Sequence, residues 1–235
     1  LTVSVTEIIN CAADTSFSEK SRGNVEKVNI KGLQNLLDMA VDGNCTFFHQ
    51  VSTAYVSGNI QGVCSESLVY PGSFINVYEE TKCRAEHLAD RICSKAGIGL
   101  NIYRPAIVCG DSGTGRTFRF NALYYPLKTI SRLVRTYKKD LQENGGTRAN
   151  KAGVRFDGDK RLVFPLKIRI KEDSGINIIP VDYFTHMFIE IMENCMKGGI
   201  FNIVQEQNCS MKRLVDYTRR YFQLTGLDIT SGKDI

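Results

Sequence analysis

The chain has 235 residues, 43% of them hydrophobic, enough for a sizeable core in one domain with a small appendage; it has no apolar run long enough to span a membrane, and its start, L-T-V-S-V-T-E, is no secretory signal. Eight cysteines without a C-x-x-C pair point to reduced thiols in a cytoplasmic protein and away from a disulfide scaffold or a zinc site, and three dispersed histidines add no metal cluster. The net charge of +5 is uneven, because residues 128–171 hold thirteen Lys or Arg against four Asp or Glu.

Residues 5–13 (V-T-E-I-I-N-C-A-A) read as a strand ending in small side chains, which lets a ligand approach its carboxyl edge or, equally, lets a helix pack there. Residues 21–41 carry Val25, Val28, Leu33, Leu36, Leu37 and Ala40 at a helical period, with Asn29 inside the run. Asparagine is a mediocre residue for a helix interior and tends to hydrogen-bond nearby backbone instead. A strand over 45–53 delivers Thr53 at its carboxyl end, with Ser52 as the competing hydroxyl.

A polar loop over 58–76 is long enough to border a pocket. The helix that follows, 77–95, is ended by Gly97 and places Tyr78 and Lys82 four apart, on one face. Thr53, Tyr78 and Lys82 thus bring a hydroxyl, a phenol and an ammonium towards one point. A fixed positive charge lowers a tyrosine from its usual pKa of ~10 towards the range of a proton donor or acceptor. The plainer reading is a half-buried ring beside a solvated charge.

Residues 98–103 form the next strand, closed by Arg104-Pro105; the proline is expected to take the chain out of the sheet and free the backbone of the following residues for a ligand. G-D-S-G-T-G-R-T, from Gly110, imitates a phosphate-binding loop but has Arg116 where that loop needs lysine, so it reads as a loop over a substrate. A helix over 118–141 bears Phe120, Leu123, Tyr124, Leu127, Ile130, Leu133, Val134 and Tyr137 on one face, a stripe that suits core packing better than a channel. The basic block suits an anionic ligand or, equally, a solvated insertion; it lacks the aromatic interleaving that nucleic acid needs. Residues 143–160 read as mobile, 162–166 and 176–179 as short strands, 181–196 as a helix and 199–204 as a strand. Ser210 is a good N-cap for a last helix over 210–224. Strands alternating with helices imply an α/β parallel sheet.

V-S-T-A-Y-V-S-G (51–58), followed by Tyr78 and Lys82, resembles the extended short-chain dehydrogenase/reductases, and within them the fatty acyl-CoA reductase and thioester reductase branch with its male-sterility-type NAD-binding domain. Four further stretches match in order: I-I-N-C-A-A-D-T-S-F from Ile8, V-N-I-K-G from Val28, Y-R-P-A-I-V-C-G-D-S-G-T-G from Tyr103 and, more weakly, I-I-P-V-D from Ile178. The resemblance implies a Rossmann-type doubly wound parallel sheet, with 1–110 a partial dinucleotide-binding domain. Residues 111–235 would be mainly substrate-binding, with 176–204 partly returning to the sheet.

By the same resemblance Thr53, Tyr78, Lys82 and Asn29 are the catalytic residues. Cys11, Ala12, Ala13, Val51, Tyr78, Lys82, Pro105, Ala106, Ile107 and Val108 lie beside the cofactor, NADP by the branch, with NAD left open. The implied activity is NAD(P)H-dependent reduction of an acyl thioester, bound to coenzyme A or to an acidic acyl carrier protein that the basic block suits. A sugar-nucleotide epimerase or dehydratase, a hydroxysteroid-type dehydrogenase and a cofactor-sensing regulator share the pattern. No strand with G-x-x-G-x-x-G precedes Ile8, so the chain is expected to begin partway through the nucleotide domain and to be inactive without what precedes it.

Overall fold

The computed structural model describes residues 5–118, 123–170 and 174–230. Its elements begin with strand β1 (Glu7–Asn10), followed by helix α1 (Arg22–Glu26), a π-helical stretch (Lys27–Gly32) and α2 (Leu33–Asp42). Strand β2 (Phe47–Val51), helix α3 (Val77–Ala96) and strands β3 (Gly99–Pro105) and β4 (Ile107–Cys109) come next. Then follow α4 (Tyr124–Glu143), α5 (Thr147–Lys151), β5 (Arg155–Phe156), β6 (Leu162–Arg169) and β7 (Gly175–Ile176). The chain closes with β8 (Ile178–Pro180), α6 (Val181–Asn194), β9 (Gly199–Ile203), β10 (Cys209–Ser210), α7 (Met211–Phe222) and β11 (Leu224–Thr230).

These form two units, Leu1–Thr114 with Ile179–Gln205, and Gly115–Ile178 with Glu206–Ile235. The first is built on a four-stranded sheet in the order β1-β2-β3-β9, every pair parallel. Such an arrangement is the Rossmann-type α/β architecture, and it needs both faces covered. Phe47, Phe48, His49 and Gln50 of β2 are accordingly all buried. One core joins Leu33, Leu37 and Ala40 of α2 to Phe48 and to Ala85, Leu88, Ala89 and Cys93 of α3. Another joins Tyr103, Ala106, Ile179 and Ile203 to Phe184, Met187 and Phe188 of α6. Because the strands run the same way, the chain leaves β1 and β2 at one edge of the sheet, where residues 11–13 and Ser52-Thr53 begin.

Helix α3 starts and stops as its sequence dictates. The Asn76 side chain accepts from the Glu79 N–H at 3.0 Å, and the Glu79 carboxylate reaches back to the Ile75 N–H at 3.1 Å, a reciprocal cap. Gly97 then takes the left-handed φ of 70° that ends it.

The second unit packs α4, α5, α7 and the strands β6 and β11 around Ile130, Val134, Ala149, Val154, Leu162, Phe164, Val215, Leu224 and Leu227. Its sheet has the order β11-β6-β5. Here several expectations fail. Residues 143–160 contain α5 and β5 and are anchored by Asp140, whose carboxylate accepts from the N–H groups of Arg148 and Ala149, both at 2.9 Å. Ser210 precedes α7 without a side-chain cap hydrogen bond, and β11, unexpected from the sequence, follows it. Helix α4 is described from Tyr124, and Phe120 lies outside the described residues.

The exit at Pro105 is also corrected. Pro105 stays in β3, paired with Ile203, and the Ala106 N–H donates to the Ile203 carbonyl at 3.0 Å. A parallel strand points successive residues' backbone groups to alternate sides. The missing proline N–H therefore faces β2, whose last pair, Val51 with Tyr103, has already passed. No ladder bond is lost, and the strand continues.

Candidate active site

The site assembles at the carboxyl edge of the parallel sheet. β1 ends at Asn10, earlier than its sequence suggests, because the Asn10 side chain accepts from the Ala12 N–H at 3.1 Å and turns the chain. Cys11, Ala12 and Ala13 are consequently exposed beyond the strand. Asn29 fixes the far side of that turn. Buried in the π-helical stretch, it accepts from the Asp14 N–H at 2.8 Å and donates to the Asp14 carbonyl at 3.0 Å and to the Thr81 hydroxyl at 3.0 Å. It acts as a clamp between the post-β1 turn and α3, and π-helical turns of this kind concentrate at functional sites.

Thr53 follows β2 in extended backbone and is buried. Its hydroxyl accepts from the Tyr55 N–H at 3.3 Å and is near enough to the Tyr78 phenol to pull its pKa down. Gly58, which closes this turn, has a φ of 51°, and a Cβ there would sit 2.5 Å from the Ser73 carbonyl oxygen, so only glycine fits. The Phe17 ring lies 5.9 Å from that of Tyr78. One turn along α3, Lys82 is 3% exposed and its Nζ donates to the Val51 carbonyl at 2.6 Å. An ammonium carries three donors, and among the described residues Val51 is the one hydrogen-bond acceptor shown for this one.

Burial sets both ionisations. It pushes the Tyr78 phenol up to about 12, against the pull of the neighbouring Thr53 hydroxyl and with a small addition from Glu79. It pushes Lys82 down to about 8, while the charges of Glu86 and, less, Cys11 act the other way. The expectation that Lys82 lowers the phenol is therefore reversed: desolvation wins, and the ammonium is directed at Val51. Tyr78 is a held proton, suited to donating.

Thr53, Tyr78, Lys82, Val51 and Cys11 thus gather at one edge, and Asn29 joins them through Thr81. Residues 105–108 differ from expectation. Pro105 has no N–H, that of Ala106 is used by Ile203, and Ala106 itself is core. Ile107 and Val108 lie in β4, which pairs with β8. The loop from Gly110 is tethered elsewhere in the same unit: Ser112 donates to the Asp182 carboxylate through its N–H at 2.8 Å and its hydroxyl at 2.6 Å.

Sequence reasoning missed a buried ion pair beside Lys82, Glu86 with Arg104, 1% and 0% exposed. Glu86 continues the spacing of Tyr78 and Lys82 by one more turn, and that was its signal.

The family model described as "Male sterility protein", an NAD-binding family, matches residues 1–188. The chain belongs to this family. Membership bears out the resemblance to extended short-chain dehydrogenase/reductases. This male-sterility-type chain is also 27% identical over 125 residues, 52% of its length, to the hybrid PKS-NRPS synthetase ucsA of an Acremonium species. It spans only 3% of that curated relative.

Among solved structures, the terminal R domain from the myxalamid PKS-NRPS biosynthetic pathway superposes with a TM-score of 0.67 at 22% identity, covering 95% of this chain and 48% of that one. RMD from Pseudomonas aeruginosa, complexed with NADPH, gives 0.66 at 17%, covering 97% and 68%. UDP-glucuronic acid 4-epimerase from Bacillus cereus, in complex with NAD, gives 0.66 at 19%, covering 97% and 62%. At these identities the likeness is one of fold. The residues at the sheet edge fit a nicotinamide dinucleotide: an exposed small-residue turn after β1, and a buried ammonium with two further donors. Among the described residues no helix is long and apolar enough to cross a membrane, and no cluster of His, Cys, Asp or Glu could hold a metal ion.

Proposed function

We propose that the chain carries the reducing site of an NAD(P)H-dependent reductase that acts on an acyl thioester, with NADP as the cofactor and the cytoplasm as its compartment. The observation that carries this reading is the gathering of the buried Thr53 hydroxyl, the Tyr78 phenol and, one turn along α3, the buried Lys82 ammonium at the edge where β1 and β2 end. When bound, the reduced nicotinamide supplies a hydride to the substrate carbonyl carbon. Thr53 and Tyr78 hydrogen-bond the carbonyl oxygen as negative charge develops on it. Tyr78, neutral to about pH 12, delivers its proton to that oxygen. Lys82, with two donors beyond the one given to Val51, would hold the hydroxyls of the nicotinamide ribose, and the exposed turn over residues 11–13 would leave room for the dinucleotide.

A thioester is favoured because the sequence relative and one of the structural ones are PKS-NRPS proteins by name. Lys128, Arg132, Arg135 and Lys139 are all exposed and recur along one side of α4, a surface that suits the acidic face of an acyl carrier protein or the phosphates of coenzyme A.

The test uses the full-length protein and follows NADPH absorbance with acyl-CoAs, carrier-bound thioesters, sugar nucleotides and steroid ketones. Thioesters are expected to be turned over, with kcat/KM at least about tenfold above the other classes. Steroid reduction instead would replace this reading with a dehydrogenase, conversion of a sugar nucleotide seen by product analysis without net NADPH consumption would make it an epimerase or dehydratase, and dinucleotide binding with no product from any class would make the protein a regulator.

A further inference from the structure

The buried pair beside Lys82 reaches further than an ordinary ion pair. The Arg104 guanidinium forks onto the Glu86 carboxylate, Nε to Oε1 at 3.0 Å and Nη2 to Oε2 at 2.6 Å. The remaining donors reach the loop between β2 and α3, Nη1 to the Ser65 carbonyl at 3.2 Å and Nη2 to the Ser67 carbonyl at 2.9 Å. The Ser52 hydroxyl donates to Glu86 Oε1 at 2.5 Å. The same loop is tied to β9 by Asn202, whose N–H donates to the Glu66 carboxylate at 2.6 Å and whose side chain donates to the Cys64 carbonyl at 3.1 Å.

Stability alone does not account for this arrangement, since a buried ion pair is often no better than apolar residues of the same volume. Its connections do. Ser52 immediately precedes Thr53, Glu86 stands one turn beyond Lys82 and two beyond Tyr78, and Arg104 lies one residue before the end of β3.

We propose that Glu86 and Arg104 are positioning residues of the site, a buried linchpin that sets Thr53 through Ser52, holds Lys82 in its charged form and ties the 64–67 loop to the sheet. The inference rests on the reductase reading for its meaning, but not for its test. The charged or titratable groups around Lys82 are Cys11 after β1, Tyr78 and Glu86 on α3, and Arg104 on β3 behind Glu86. β2 contributes the Val51 carbonyl. Of these, Glu86, one turn along the same helix, is the larger source of negative charge that favours the ammonium.

The experiment titrates Lys82 directly, by its 13Cε resonance in lysine-labelled full-length protein, assigned with Lys82→Met. Glu86→Gln keeps the shape and removes the charge, so the Lys82 midpoint moves to lower pH, by roughly one pH unit for one neighbouring charge. Arg104→Gln removes the guanidinium that neutralises Glu86, and the midpoint moves to higher pH. A merely structural pair would not give opposite signs. Ser52→Ala, which removes one hydroxyl, lowers kcat about tenfold with the dinucleotide KM unchanged.

A midpoint that stays put in Glu86→Gln, or moves the same way in both variants, overturns the proposal, as does wild-type kcat in Ser52→Ala. Should Arg104→Gln fail to fold, the other two decide. If the wild-type protein turns over no thioester, the reductase reading falls while the Lys82 titration still judges the linchpin.

Discussion

Burial disfavours the charged form of both Lys82 and Tyr78, and each leaves a sign in the stability. Lys82 falls from 10.5 to about 8, so the unfolded chain binds more protons between those values, and stability rises with pH through that window and is lost as pH drops through about 8. Tyr78 rises from 10 to about 12, so its contribution is present below pH 10 and is lost as pH climbs through about 12. The buried ammonium thus costs stability at neutral pH, on the order of 1–3 kcal/mol. Lys82→Met is expected to raise Tm at pH 7 while abolishing turnover, a pattern that calorimetry beside an NADPH assay would read. A lower Tm would show that the ammonium is well compensated where it sits. Turnover in the wild type should fall above about pH 8, as Lys82 loses its proton.

At the scale of elements, the site is held by clamps between segments distant in sequence, and Asn29 shows how. Three hydrogen bonds join the π-helical stretch to the turn after β1 and to α3. Asn29→Ala leaves the Thr81 hydroxyl and the Asp14 backbone without those partners, and is expected to cost about 1–3 kcal/mol. A urea titration would show the loss, and hydrogen exchange would show it concentrated at residues 11–16.

Much of the first unit was legible because its signals are local. The period of residues 21–41, the buried run of β2, and Asn76 with Gly97 around α3 each say what the backbone does next. Pro105 misled because a proline's effect depends on which side of the strand its missing N–H faces, and that is set by where a neighbouring strand stops. The Glu86–Arg104 pair was missed because the spacing of Tyr78, Lys82 and Glu86 places Glu86 on the site face of α3 but does not say that its partner, eighteen residues on, is buried with it. Residues 143–160 looked mobile because Asp140, which anchors them, belongs to the preceding helix.

At the scale of the molecule, each unit has a core of its own, and the two should respond separately to damage. Leu37→Ala in the first core and Leu162→Ala in the second, both sites 0% exposed, should each cost about 2–5 kcal/mol. Hydrogen exchange should rise mainly in the unit that carries the change, and loss of protection spread evenly over both would contradict two independent cores. The account as a whole depends on a phenol that gives its proton to a reduced carbonyl. The measurement that tests it most directly is single-turnover oxidation of NADPH by the full-length protein with an acyl thioester, wild type against Tyr78→Phe. The account predicts that the variant binds dinucleotide with near wild-type affinity and reduces the thioester at least about a hundredfold more slowly. Reduction at the wild-type rate would contradict it.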